Sequence, residues 1–511
     1  MNINNTKVVK YPELGNGLAA TRDLEAGEVI IRIAKPFLIV VENAALDRVC
    51  SECLFESENG LKRCTGCKVV QYCSIACQAA AWKAIHKEEC KIYRKLPQIA
   101  PTAVRGLIQL LLRKEIGTSP DPRWAGLEGH VAELQKQKRW DEIVLQAKAA
   151  VEWTKSPQTC METAINMLCR MATNAFRVTL ADSTPIGLCF EPVVSLANHS
   201  CTPNATIIFD GRQLTLRTLD PIKKGDQVFV SYIDTTQTRE ERRHELKDRY
   251  FFTCHCEKCE QDDGPYHTFL KSQSIPYPPL DLFISQEEIR NFAQARCSDA
   301  SATKVPDILP KVQDLLTRSR NPSISSAQQF SLLQTALRTC EPLQRTQQVA
   351  QPPYPQVLHE LYLHYLSDQS TYTQALRILL YLYLHSDVYT YPQPHHPVRV
   401  IRLYTIAKLL QNVPELGDVD FISANQVLLL CVRELVRKSH GEETSFGREV
   451  REALADVEAV QRTRGGVGSA LNAWVLGVGE EAQRRDGKEY ARKIFEGLRD
   501  LAGSALDGVR K

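Results

Sequence analysis

The chain has 511 residues, 43% of them hydrophobic and 24% charged, with a formal net charge of +3. That length exceeds a single hydrophobic core and suggests two to four packed units. The near balance of charge argues against a protein whose main partner is a nucleic-acid backbone, and the sequence holds no run of about 18 apolar residues, so we expect no membrane span and no secretory signal.

Residues 7–42 predict strands: "EVIIRI" and "PFLIVVE" are rich in β-branched residues and are separated by turn signals at Glu25–Gly27 and Pro36. A cysteine cluster follows, from Cys50 to Cys90. From Pro101 the period changes, with Val104, Leu107, Ile108, Leu111 and Leu112 on one helical face. Helix is expected to about residue 170, with a break near "GTSPDPRW". Strand signals return between 185 and 233, where "TIIFDGRQLTLRTL" predicts a hairpin around Asp210 and Gly211 and "QVFVSYI" follows a turn at Lys224–Gly225. Beyond about 270 the pattern is helical to the end. Val400, Leu403, Ala407 and Leu410 form one apolar stripe behind Pro397, and "QPPYP" and "YPQPHHP" separate helical groups. The helical pairs suggest a superhelical array, and the two strand regions suggest one β domain interrupted by an insertion.

Seventeen cysteines in a chain without a secretory signal read as metal ligands or chemistry rather than disulfides. Cys160, Cys169 and Cys340 lie scattered in apolar helical patterns and read as small buried hydrophobes. The first cluster reads Cys50-x2-Cys53, Cys64-x2-Cys67, Cys73-x3-Cys77 and His86-x3-Cys90, eight soft ligands for two tetrahedral zinc ions. The x3 spacings would put two ligands one helical turn apart. Four protein ligands per ion leave no open position, so the role is structural, and a segment of about forty residues would depend on metal to fold. Spacing leaves open which pairs share an ion. Further on, "TCHCEKCE" supplies Cys254, Cys256 and Cys259, one thiolate short of a tetrahedral site. Cys201 is the candidate to close it; water or His255 is the alternative. Cys201 sits in "NHSCTPNA" (198–205), a polar octet behind the apolar run "FEPVVSLA". Buried polar groups need partners, so those of the octet must come from elsewhere in the chain.

With His86 seventh of the eight ligands, the first cluster resembles a MYND finger, a protein-interaction module, more than a RING finger. "GNGLAA" (15–20), "TNAF" (173–176), "NHSCTPN" (198–204), "GDQVFVSYID" (225–234) and "YFFTCHCEKC" (250–259) match, in order, the motifs of SET-domain lysine methyltransferases. The chain therefore resembles the SET and MYND domain (SMYD) family, closely over about residues 1–260 and more loosely in the tail through "HPVR" and "SHGEE". The resemblance implies an α+β fold. A split SET domain (1–46 and 161–240) would hold an inserted MYND finger (47–92) and a helical insert (93–160). A post-SET zinc segment (241–265) and an all-α, tetratricopeptide-like C-terminal domain (270–511) would follow. It also implies interleaved zincs, Cys50, Cys53, Cys73 and Cys77 on one ion and Cys64, Cys67, His86 and Cys90 on the other, with a third on Cys201, Cys254, Cys256 and Cys259.

The implied reaction is methyl transfer from S-adenosylmethionine to a lysine amine of a histone or another protein. The resemblance gives Tyr232 the catalytic position. It assigns Gly15, Asn16, Gly17, His130, Asn174, Asn198, His199, Tyr232 and Phe252 to the cofactor, and Phe176, Ser195 and Tyr250 to the lysine channel. The glycines would let the chain approach the cofactor where a Cβ would collide. Gly225-Asp226-Gln227 departs from the family's frequent "GEE". The competing reading is an adaptor with an inactive SET core, its MYND finger taking proline-rich peptides and its helical tail a further protein. DNA binding through Lys62, Arg63, Lys68, Lys83 and Lys87 is the weaker idea, because scattered basic residues usually form a solvated face. We expect a monomer in cytoplasm and nucleus, with no membrane or nucleic-acid partner.

Overall fold

A computed structural model describes residues 2–57, 59–114, 124, 126–272, 277–298, 305–414, 419–464, 466–507 and 509. Most of the break expected near "GTSPDPRW" lies outside them. The chain divides into two compact units, Met1–Ile233 with Arg242–Cys254, and Asp234–Glu241 with His255–Lys511. The architecture is α+β.

Among its described residues the first unit holds thirteen strands: β1 (Asn2–Ile3), β2 (Thr6–Tyr11), β3 (Gly15–Ala20), β4 (Val29–Ile33), β5 (Leu38–Val41), β6 (Lys62–Arg63), β7 (Gln71–Tyr72), β8 (Phe176–Thr179), β9 (Pro185–Phe190), β10 (Asn198–His199), β11 (Ala205–Asp210), β12 (Gln213–Thr218) and β13 (Gln227–Val230). They form sheets ordered β1-β2-β3-β13-β10, β11-β12-β4 and β5-β9-β8, with β6-β7 apart. In each of the three larger sheets a strand from the first forty residues pairs with one from beyond residue 170: Leu18 faces Val228, Ile31 faces Leu216 and Val40 faces Leu188. The β domain is thus one structure interrupted by the finger and the insert, as the two separated runs of strand signal imply.

The apolar residues of these strands supply a shared core in which Leu18, Ile30, Ile31, Leu38, Leu214 and Leu216 are fully buried. On it packs α3 (Thr102–Leu112), whose stripe Val104, Leu107, Ile108 and Leu111 is buried. The buried Arg105 donates to Asn43 Oδ1 and to the carbonyl of Val41, which satisfies its charge at the end of β5. The β11–β12 hairpin turns at Gly211, in the left-handed region at φ +56°. A Cβ there would stand 2.5 Å from the carbonyl oxygen of Cys53 and 2.6 Å from the ring of Phe55. Beside it Arg212 donates to the carbonyl of Glu52 at 2.9 Å. The hairpin tip is therefore the seat of the Cys50–Cys53 knuckle.

The second unit is helical. Its longer elements are Gln286–Cys297, Val305–Ser319, Ser326–Thr339, Tyr354–Leu366, Tyr372–His385, Pro397–Leu410, Phe421–Lys438, Ser445–Arg462, Val467–Leu476 and Glu481–Gly503, and from Val305 on each packs against a neighbour in the chain. Starts are capped as the sequence allows. Ser325 and Gln328 close a capping box, Asp420 accepts from Ile422 and Ser423, and Thr444 accepts from Gly447. Val400, Leu403, Ala407 and Leu410 are buried together, as their spacing predicts. Among the described residues no helix is long and apolar enough to cross a membrane.

Gly211→Ala should destabilise the first unit by about 1–3 kcal/mol, since it adds backbone strain to a collision with the knuckle. Gly225→Ala, at φ +93° but with open space around the Cβ position, should cost less. Urea unfolding of the two variants checks the difference.

Candidate active site and metal centres

The chain places its soft donors in three groups, each with its ligand atoms within 4.8 Å of one another: Cys50, Cys53, Cys73 and Cys77; Cys64, Cys67, His86 and Cys90; and Cys201, Cys254, Cys256 and Cys259. None of the seventeen cysteines forms a disulfide. Tetrahedral zinc with Zn–S bonds of about 2.3 Å requires S···S edges of about 3.8 Å. The observed edges fit: Cys53–Cys73 is 3.7 Å, Cys73–Cys77 is 3.6 Å, Cys64–Cys90 is 3.8 Å and Cys201–Cys254 is 4.0 Å. Each group could hold a zinc ion. The interleaving follows from the short β6–β7 hairpin, whose turn carries the second pair, Cys64 and Cys67, and returns the chain to Cys73 of the third.

One expectation of local structure fails. Cys73 is not on the helix that carries Cys77; it follows β7, and Ser74 caps α1 (Ile75–Ala81) by accepting from the amide of Cys77 at 3.1 Å. The serine between the two ligands ends the helical turn that their spacing suggested. His86 closes a widened π turn, Trp82–His86, ahead of α2 (Lys87–Tyr93), which carries Cys90. Its Nε2 stands 3.7 Å from Cys67 Sγ, while Nδ1 donates to the buried Glu89 carboxylate at 3.3 Å. Tyr93 donates to the other Glu89 oxygen at 3.0 Å. A carboxylate behind a histidine fixes its tautomer and raises its basicity toward a metal. Spacing gave no sign of Glu89. In the third group the alternative ligand His255 is exposed and paired with Glu260 at 2.8 Å, whereas Cys201 Sγ is buried among the thiols. Lys62, Arg63, Lys68, Lys83 and Lys87 are all exposed on the finger.

The octet crosses β13. Here β10 runs parallel to it, Asn198 opposite Phe229 and His199 opposite Val230. Asn204 locks the crossing: its Nδ2 donates to the carbonyl of Gln227 at 2.9 Å and its Oδ1 accepts from the amide of Phe229 at 2.8 Å. Thus the polar groups of the octet do find partners from distant chain. The pairing sets His199 beside Tyr232, just past the end of β13. His199 Nδ1 accepts from the Tyr232 amide at 3.1 Å, so the ring proton sits on Nε2, which is directed at Cys201 Sγ 3.3 Å away. The side chain of His199 is therefore used within the protein.

Around Tyr232 gather His199 (5.3 Å between ring centroids), Tyr250 (5.0 Å) and Phe252 (6.5 Å, edge-on). The Tyr232 hydroxyl donates to the carbonyl of Ala197 at 2.8 Å, and that of Tyr250 donates to the carbonyl of Tyr232 at 3.1 Å. Burial, with Tyr250 adding to it, raises the pKa of Tyr232 above its ordinary value, so the hydroxyl is neutral through the physiological range. Phe176, at the start of β8, packs half-buried on the same core as Tyr232.

The remaining candidates frame this centre. Asn198 Nδ2 donates to the carbonyl of Asn16 at 3.2 Å, joining the octet to β3. Gly15 is left-handed at φ +70° with open space about it. Gly17 is required for a different reason from the one expected: a Cβ would stand 2.8 Å from atoms of Asn198, Gln227 and Tyr11, so the close approach is protein on protein. Asn16 Nδ2 donates to the carbonyl of Gly126, and Asn174 Nδ2 to those of Glu128 and Arg170, at 3.2, 2.8 and 3.0 Å. Ser195 donates to the carbonyl of Asn174 at 2.9 Å. His130, left-handed at φ +49°, packs on Phe251 with the ring centroids 5.0 Å apart and the planes tilted by 37°.

Residues 15–233 match the family model of the SET domain. The SET domain and MYND-type zinc finger protein 6 of Schizosaccharomyces pombe is 37% identical over 292 residues, which is 56% of this chain and 58% of the relative. The Arabidopsis thaliana histone-lysine N-methyltransferase ASHR1 is 26% identical over 478 residues, 88% of this chain and 95% of its own length. The human histone-lysine N-methyltransferase SMYD3 is 31% identical over 269 residues, 50% of this chain and 62% of its own. The chain thus spans less than two thirds of the yeast and human relatives it matches.

Elemental analysis of the purified chain should find three zinc ions, and Cys201→Ser should leave two. Glu89→Gln should keep the second site but weaken its zinc affinity about 10- to 100-fold, read by competition with a chelating dye.

Proposed function

We propose that the chain is a protein-lysine N-methyltransferase of the SET and MYND domain type that uses S-adenosylmethionine, a reading supported by the SET-domain match and the similar relatives. The observation that carries this reading is the convergence of Tyr232, His199, Tyr250 and Phe252 beside the β10–β13 crossing. A sulfonium donor is a cation, and it suits a site of aromatic faces, carbonyl oxygens and neutral hydroxyls such as this one. Bound there, it would supply an electrophilic methyl group. Asn16, Asn174, Asn198, the backbone of His199 and the ring of Phe252 are the groups we assign to hold it.

The nucleophile is the neutral amine. At pH 7 a lysine of pKa about 10.4 must lose its proton at a cost of about 4.6 kcal/mol. A channel walled by Phe176 and Tyr250 disfavours the ammonium and reduces that cost. The Tyr232 hydroxyl has its proton committed to Ala197, so its oxygen is left as an acceptor. It can take a hydrogen bond from the amine and aim the nitrogen lone pair at the methyl carbon. Because its pKa is raised, it serves as a positioned neutral group rather than as a base.

Two narrower readings belong with this proposal. The zinc sites are structural, and the thiolates they need fit a reducing cytoplasm and nucleus. The finger offers an interaction surface for a proline-rich peptide. The adaptor reading gives no reason for the aromatic centre and is not favoured.

Incubating the full chain with labelled S-adenosylmethionine and a cell extract should transfer label to protein lysines, identified by mass spectrometry. Tyr232→Phe should reduce transfer about 10²- to 10³-fold while thermal melting stays near wild type. Undiminished transfer in that variant would exclude the mechanism. The wild-type rate should climb from pH 7 to 9 as the amine deprotonates, with no fall from ionisation of Tyr232.

A further inference from the structure

Gln227 opens β13 opposite Ala19 of β3, and its backbone is held by Asn204. Its side chain meets Asn198. The Asn198 Nδ2 donates to Gln227 Oε1 at 2.7 Å and to the carbonyl of Asn16 at 3.2 Å. A main-chain carbonyl only accepts, so Asn16 fixes which end of the Asn198 amide is nitrogen. The second amide hydrogen then needs an acceptor, and only the oxygen end of Gln227 can be one. Both amides are thereby oriented without ambiguity. Room for the pair comes from Gly17, whose absent Cβ would lie 2.8 Å from Asn198 Nδ2 and from Gln227 Oε1 alike. With both hydrogens used inside the protein, Asn198 Oδ1 remains as an acceptor, and among the described residues no hydrogen bond to it is formed.

We propose that Gln227 is a positioning residue of the methyl-donor site: it holds the Asn198 amide so that Oδ1 accepts a hydrogen bond from a cationic amino group, the one on the amino-acid end of the donor. The inference rests on the proposed function for the identity of that ligand. Gln227 does this as a neutral acceptor, where a leucine of similar size would offer none and a glutamate would offer the same oxygen with a charge.

The test is titration calorimetry of the full chain with S-adenosylhomocysteine, together with KM and kcat for the donor. Gln227→Leu should raise Kd and KM about tenfold, the loss expected for a hydrogen bond to a charged group, with kcat within about twofold. Gln227→Glu should bind within about threefold of wild type. Unchanged binding in Gln227→Leu overturns the proposal, and so does a Gln227→Glu variant as weak as Gln227→Leu, since that marks a purely steric role. In an Asn198→Ala background, Gln227→Leu should have no further effect; additive losses overturn the proposal. If the wild-type chain binds no S-adenosylhomocysteine, the methyl-donor reading fails. The Asn198–Gln227 coupling is then read from the melting temperatures of the same four proteins, where additive shifts overturn it.

Discussion

The site depends on one short piece of sheet, the parallel pairing of Asn198 and His199 with Phe229 and Val230. A two-residue parallel contact has little stability of its own. It persists because the donors of the polar side chains beside it are engaged within the protein. Asn204 bonds two backbone groups of β13, Asn198 bonds β3 and Gln227, and His199 bonds the Tyr232 amide. Satisfied networks of this kind fix a single arrangement, because any alternative leaves buried donors unpaired. Everything the chemistry would need follows from that arrangement. It determines where Tyr232 leaves β13, which rings meet it, and which lone pairs remain for a ligand.

The zinc groups act on the same arrangement. Cys201 is two residues beyond His199, and the His199 Nε2 proton points at its sulfur. A thiolate is a good acceptor for that proton and holds the imidazole in the tautomer that Tyr232 requires. The candidate metal ligand and the residue proposed to meet the amine are thus linked through one imidazole. In the finger, a bound metal would play the more usual part of replacing a core that some forty residues cannot form. The contact of Gly211 with Cys53 and Phe55 then joins this stiffened knuckle to the β sheet.

How much of this was legible in the sequence depended on the range of the interaction. Ligand spacing is local, and eight donors in pairs announced two tetrahedral sites. Their interleaving is not local, and it rested on the resemblance. The helix read into Cys73–Cys77 failed because Ser74 is a stronger cap than the spacing is a helix signal. A Cβ at Gly17 would collide with Asn198 and Gln227, which lie more than 180 residues away, so that constraint is not readable from "GNG". Glu89 was missed because an acidic residue on a short helix has no distinguishing pattern until the imidazole it serves is in place. The buried Cys160, Cys169 and Cys340 behave as their apolar surroundings foretold.

The same contrast bears on Gln227. As a residue in a turn motif it reads as a tolerable change, for nothing in "GDQ" reveals a contact. Its significance comes from direction rather than proximity. An amide presents a donor at one end and an acceptor at the other, and a site for a cationic amino group needs the acceptor end. The carbonyl of Asn16 breaks the symmetry of Asn198, and Gln227 completes the choice. Polarity is thereby passed from a backbone carbonyl, whose role no side-chain substitution alters, through two side chains to Asn198 Oδ1. A glutamate would transmit the same polarity with a formal charge added. The neutral residue makes the ligand's affinity depend on hydrogen-bond direction and less on long-range attraction, and so leaves it less sensitive to salt.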